Sequence, residues 1–354
     1  MSTPLYIVAA ARKIDQEGHL DSVQQTQQAL QEAGARIETL VIDPLKAGWQ
    51  TQIRPGHFRS GCAPLDALAK AQRRLQADLA DAVLIQGEDL LRTGYTRAQR
   101  HQLMAIYGDV SIPEAYTLLA KHFCRLHDLA QCEFFALRNL LLENYRRTYQ
   151  ALHPDFDPNT QAAWLKPVTE WFRGVDCANP SIDFSGQLLL TRADWLGALT
   201  PLSQRPIRLA GIGIGLAPDD GPDHVAELAE YWHLQKAVHY ANLQAEVDFC
   251  ELFQQGQAYL EAYTCYPVVP LAFLMHAGLA DSVHALADIL QNQAITITGG
   301  MNLARAPWNN PAFSALIAAY QKLQDENARP WAGIHANGGL GYRQGFALLH
   351  RDKL

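Results

Sequence analysis

Apolar runs of strand length alternate along this chain with stretches of helical period. Residues 5–10 form the first apolar run. Between Asp21 and Gly34, Val23, Leu30 and Ala33 fall on one stripe, which predicts a helix with Gly34 as its stop. Ile37 to Ile42 reads as a second strand. Pro64 to Leu79 reads as a helix with Pro64 in its first turn, where a missing N–H costs least. Ala82 to Ile85 is continuously apolar, the pattern of a strand covered on both faces.

Residues 93–175 are different. Tyr, Arg, His, Leu and Glu recur there at helical spacing with few strand signals, which predicts a helical insertion. It ends near the Pro/Asp/Asn-rich piece from His153 to Pro158 and a segment around Trp164 and Trp171. Strand patterns return at Gly186 to Thr191. After a polar link from Pro201 to Pro206 they continue at Ile207–Ile214, Ala258–Thr264, Ile295–Thr298, Trp331–His335 and Gly345–Leu349. Tyr240–Leu252, Pro270–Gly278 and Pro311–Leu323 read as helices. Two α/β halves, 1–205 and 206–354, split by an insert, exclude a sandwich or a bundle and predict layered α/β architecture.

Composition narrows the classes further. The 354 residues carry a formal charge of -7, which argues against non-specific nucleic-acid binding. No stretch approaches a membrane span, and the N-terminus lacks the pattern of a signal peptide. The six cysteines show no CxxC spacing and the histidines no HExxH, so no metal is expected. Scattered cysteines fit a reducing cytoplasm. Only 18% of residues are charged, and part of such a surface is expected to be buried in a homodimer. Gly211, Gly213 and Gly215 lie in a strand pattern without the spacing of a dinucleotide loop. Asp219-Asp220-Gly221 reads as a turn.

Three segments carry a family likeness. The first is Ser60-Gly61-Cys62-Ala63-Pro64, followed by a helix and then Val83-Leu84-Ile85-Gln86-Gly87-Glu88, with 25 positions from Cys62 to Gly87. The second is Tyr263-Thr264-Cys265-Tyr266-Pro267. The third is Thr298-Gly299-Gly300-Met301-Asn302 through Asn309-Asn310, then His335-Ala336-Asn337-Gly338-Gly339. Together they resemble the thiolase superfamily, in particular the bacterial relatives of the sterol-carrier-protein-type thiolases labelled acetyl-CoA acetyltransferase-like. That resemblance implies a five-layer α-β-α-β-α fold with a loop domain inserted in the first half. It also implies a coenzyme A thioester as substrate, with no permanently bound cofactor.

By that resemblance Cys62 is the acyl-accepting nucleophile. A helix N-terminus beside it favours thiolate and supplies amides for an oxyanion; packing as a small buried residue is the alternative. His335 falls where true thiolases carry their second cysteine and is the expected base. Cys265 is a further candidate thiol. Asn309, Asn310, Asn337, Gly338 and Tyr263 are candidate substrate or oxyanion contacts, although Asn309 and Asn310 equally suit a helix cap. The histidine and asparagine of working thiolases fall on Ala306 and Val269, so acetoacetyl-CoA synthesis is not expected. Three readings follow. The first is acyl transfer through Cys62. The second is retro-aldol cleavage by tyrosines, with a zinc-ribbon/OB-fold protein partner. The third is a non-catalytic scaffold.

Overall fold

The computed structural model describes residues 3–157, 164–200 and 204–352. One nine-stranded sheet runs through it in the order β3-β2-β4-β5-β1-β6-β9-β8-β7. The first five strands are β1 (Leu5–Ile14), β2 (Ile37–Ile42), β3 (His57–Phe58), β4 (Ala82–Leu90) and β5 (Asp183–Arg192). The last four are β6 (Ile207–Leu216), β7 (Ala258–Glu261), β8 (Trp331–Gly338) and β9 (Arg343–His350). Only two register pairs, Tyr6↔Arg208 and Ile7↔Ile207, join the halves.

The halves repeat one plan. The pairs β2–β4 and β7–β8 are parallel, while β4–β5 and β8–β9 are antiparallel. The leading strand of each half, β1 or β6, pairs antiparallel with the last strand of that half and carries a bulge. Helix α2 (Ala63–Gln76) lies between the halves and touches β2 and β4 on one side, β6 and β9 on the other. Helix α12 (Pro311–Lys322) does the same with β1, β5, β7 and β8. Both are buried over most of their length, with exposed residues such as Arg73 and Gln76 of α2 and Gln321 and Lys322 of α12 confined to their C-terminal parts. Helix α1 (Asp21–Glu32) covers the outside of the first half, and α7 (Trp232–Ala245) covers the outside of the second. The order helix, sheet, helices, sheet, helix is the five-layer fold that the sequence likeness implies.

The glycines of β6 set how closely α7 can approach. A Cβ at Gly211, Gly213 or Gly215 would lie 2.1, 1.9 or 1.8 Å from the carbonyl oxygens of Ala241, Ala237 and His233. These glycines are a packing face, not a phosphate cradle.

Between β4 and β5 the insertion supplies α3 (Arg97–Met104), α4 (Ile112–Leu126) and α5 (Gln131–Leu152). Capping boxes at Thr96 and Ser111 start the first two. Helices α4 and α5 lean on the second half through α9 (Val268–His276) and α10 (Val283–Asn292).

Three expectations differ from what is seen. Residues 295–298 are not a strand, because the amides of Ile297 and Thr298 bond to the buried carboxylate of Glu261 instead of to a neighbouring strand. The helix expected over 240–252 is two helices, α7 and α8 (Phe249–Gln254), broken at Glu246 with φ 55° and restarted by the Asp248 side chain. The helix α10 had no counterpart in the sequence reading. Pro158 and Pro201 lie outside the described residues.

Candidate active site

A cavity of about 510 Å³ opens between the insertion and the second half. Its walls are mainly aromatic and aliphatic, with Trp49, Met104, Ile112, Met301 and Trp308 among them. Exposed His101 and Asp109 lie at its rim with Ser111, and Asn309 lines it too; the other polar groups come from few places. Tyr263 and Cys265 follow β7, Asn337 ends β8, and Tyr107 and Tyr116 come from the insertion.

Those groups are joined by buried hydrogen bonds. Tyr116 Oη donates to the Gly339 carbonyl at 2.7 Å and accepts from Asn337 Nδ2 at 3.1 Å and from the Cys265 thiol at 3.4 Å. The Tyr116 ring stacks on Tyr266 with centroids 4.0 Å apart. Gln344 Nε2 donates to Asn337 Oδ1 at 2.7 Å, so the amide is held from behind. Tyr263 lies with its Oη against Gly61, where a Cβ would be only 2.1 Å away. Among the described residues that hydroxyl has no hydrogen-bond partner. Burial pushes the Tyr263 phenol well above its ordinary pKa, with Cys265 and Cys62 adding to the effect, so it stays protonated.

The other expected residues lie elsewhere. Cys62 is the N-cap residue of α2, at the helix start as the motif implies, but its side chain is fully buried and does not line the cavity. Its sulfur sits 2.9 Å from where a Cβ on Gly345 would be, on the β9 side. The expected lowering of its thiol pKa is not found. Burial, helped by Asp66, pushes that thiol well up and outweighs Arg343. The nearby amides are also occupied: Cys62 N–H donates to Ser60 Oγ and Ala63 N–H to the Ser60 carbonyl. Ser60 itself has φ 130°, a strained turn that Gly338 accommodates by having no side chain. Gly338 packs against Ser60 and is not among the residues that line the cavity.

His335 is 1% exposed and lies behind Tyr263. Its Nδ1 accepts the Tyr263 N–H at 3.3 Å, which places the ring proton on Nε2, donated to Gln344 Oε1 at 2.8 Å. Burial lowers its pKa to about 4, opposed by the Gln344 bond. A neutral ring with both nitrogens engaged holds the loop rather than facing a ligand. Asn309 lines the cavity, but its amide donates to the Asp43 carbonyl at 2.7 Å. Asn310 donates to Asp89 Oδ2 at 3.0 Å and lies over Gly87. Buried Asp89 also accepts the Trp308 and Asn309 amides, so each asparagine braces this loop with one of its two side-chain N–H donors. Ala306 lines the cavity and Val269 is packed inside α9.

Buried neutral imidazoles have a thermodynamic consequence. Burial, with His127 and His233 nearby, lowers the His276 pKa to about 4, as burial does for His335. Above pH 6.5 neither state binds the proton. As pH falls from 6.5 toward 4 only the unfolded chain does, so stability drops. Asp66, raised by burial to about 6, works in the opposite direction. Between pH 7 and 4.5 one such histidine accounts for a loss of roughly 2–3 kcal/mol. Urea titrations of His276→Gln should show a pH-dependent loss smaller by about that amount. An unchanged loss would mean that His276 titrates normally.

No protein-family model matches the sequence, and no curated protein matches it. Solved structures do. A monomeric SCP2-thiolase-like protein type 1 from Mycobacterium smegmatis superposes with a TM-score of 0.68 at 18% identity, over all of this chain and 79% of its own. The Ltp2–ChsH2(DUF35) aldolase superposes with a TM-score of 0.68 at 12% identity, over all of this chain and 99% of its own. The chain has a thiolase-like fold of the sterol-carrier-protein type. Among the described residues no helix is long and apolar enough to cross a membrane.

Proposed function

We propose that this chain is a thiolase-like lyase that cleaves a carbon–carbon bond of a β-hydroxyacyl thioester. The observation that carries the reading is the phenol of Tyr263. It stands unpartnered and protonated at an apolar cavity, while Cys62 and His335 are sealed behind it. In retro-aldol cleavage the β-hydroxyl loses its proton and becomes a carbonyl. The carbon–carbon electron pair passes to the α-carbon as an enolate, and an acid protonates that carbon. Tyr263 is the acid. Asn337 and Tyr116, fixed by each other, orient the thioester end. The apolar walls suit a bulky acyl body. An aldolase among the structural neighbours supports the same reaction class, and its pairing with a DUF35 protein supports a protein partner here, for which a zinc-ribbon/OB-fold protein is our candidate.

Acyl transfer is the second reading, favoured by one observation: Cys265 lines the cavity. Burial pushes its thiol up to about 12, which leaves little thiolate at neutral pH.

The test is incubation with a panel of 3-hydroxyacyl-CoA thioesters bearing branched or cyclic β-substituents, with and without a zinc-ribbon/OB-fold partner. Mass spectrometry should find a ketone or aldehyde, a shortened acyl-CoA and unmodified protein. An acyl adduct on Cys62 or Cys265 in place of those products overturns the lyase reading in favour of acyl transfer. Light scattering on the same protein tests the expected homodimer; a clean monomer removes it.

A further inference from the structure

Retro-aldol cleavage needs a proton acceptor as well as an acid, and Tyr263 cannot be both. Two residues from distant parts of the chain meet beside the same cavity, which Tyr107 lines and Asp220 backs. Tyr107, in the link between α3 and α4, lines it. Its Oη donates to Asp220 Oδ2 at 3.0 Å across 113 residues of sequence. Asp220 is held in turn: Oδ1 accepts the Leu340 N–H at 2.9 Å. The turn it grips contains Gly339, where a Cβ would lie 2.2 Å from Oδ2. The carbonyl of Gly339 receives Tyr116 Oη. Tyr107 and Asp220 are thus rigidly placed relative to the polar wall that carries Asn337 and Tyr116.

Resting on the lyase reading, we propose that Tyr107 is the proton-accepting catalytic residue and that Asp220 is its positioning partner. As the substrate O–H bond breaks, Tyr107 Oη takes that proton and passes its own to Asp220 Oδ2. The oxygen electron pair forms the new carbonyl, and the broken carbon–carbon pair goes to the α-carbon, which takes the Tyr263 proton. Tyr107 ends as it began. Asp220 has gained one proton and Tyr263 has lost one, and exchange with water restores both. No oxidant, reductant or metal is needed.

A relay through a phenol suits this cavity. Asp220 keeps its bonds to Tyr107 and Leu340 and does not itself line the cavity, so no carboxylate need be desolvated against the acyl body. The titratable groups that face Asp220 are Tyr107, His224 and Tyr342. Burial raises the carboxyl pKa, and the Leu340, Tyr107 and Gly221 bonds counter it.

The rival role for the same hydrogen bond is a latch that holds the 105–110 link over the cavity. The two roles separate kinetically. The proposal predicts that Tyr107→Phe and Asp220→Asn each lower kcat by ~10²–10⁴, with KM within about threefold. The acid limb of the wild-type kcat–pH profile should vanish in Asp220→Asn, and Asp220→Glu should restore part of the rate. The substrate is whichever 3-hydroxyacyl-CoA of the panel the wild type cleaves best. A rise in KM with kcat unchanged assigns the pair as a latch and overturns the proposal. Unchanged kinetics and pH profile overturn it too. A wild type that cleaves no thioester, alone or with the partner, refutes the lyase reading first and this inference with it. Cleavage that survives both substitutions refutes this inference alone.

Discussion

Tyr263→Phe is expected to lower turnover by ~10²–10⁴ while leaving the fold intact. Both halves of that statement come from the same hydroxyl. Among the described residues Oη makes no hydrogen bond, so its removal strands no partner, and the ring keeps its contacts with Gly61 and with His335, 6.4 Å away edge-on. The backbone anchor, Tyr263 N–H to His335 Nδ1, is also untouched. What disappears is the unpartnered phenol to which the lyase reading gives the proton-donating role. Thermal unfolding should move by no more than a degree or two either way, while release of carbonyl product from a 3-hydroxyacyl-CoA collapses. A variant with near wild-type turnover would mean that the proton comes from elsewhere, and Tyr116 would be the next acid to remove.

Alongside Gly215→Ala, Gly213→Ala should be among the most damaging single methyl additions in the protein. Its Cβ would lie 1.9 Å from the Ala237 carbonyl and 3.0 Å from the Ala237 Cα, all backbone of α7. A side chain can turn aside, but a helix backbone bonded to itself cannot. Either α7 lifts off β6 or the strand shifts in a sheet where β6 also pairs with β9. The cost is expected to be at least about 3 kcal/mol, at the upper end of overpacking. Gly197→Ala is the matched control, since nothing lies within 4 Å of its added Cβ. It should stay within roughly 0.5 kcal/mol of wild type. Equal chemical-denaturation midpoints for the two variants would show that α7 tolerates displacement.

Several features needed no tertiary structure to be legible. The strands at 5, 37, 82, 207 and 331 announce themselves by short apolar runs, because covering a sheet on both faces demands them. The start of α2 is visible in Cys62-Ala63-Pro64, since proline fits only the first turn of a helix. The residues after β7, Tyr263 and Cys265, were picked out by their motif and do line the cavity. Other readings misled for a physical reason. Cys62 and His335 were expected to meet a ligand because the family likeness puts its nucleophile and second acid/base at those positions. Here β9 and Tyr263 cover them. Asn309 and Asn310 have the donors an oxyanion needs, but each commits one side-chain N–H to the loop, at the Asp43 carbonyl and the Asp89 carboxylate.

The sequence by itself determined the alternation of elements, the two halves and the helical insert, because each rests on local periodicity and on the backbone limits of proline and glycine. Which side chains share a wall was decided only by tertiary structure. Tyr107 reaches Asp220 across 113 residues, and Tyr116 reaches Gly339 across 223. No local pattern encodes such a pair. It exists because the insertion folds back onto the second half. The same packing sets the dielectric that keeps the Tyr263 phenol and the Cys62 thiol protonated.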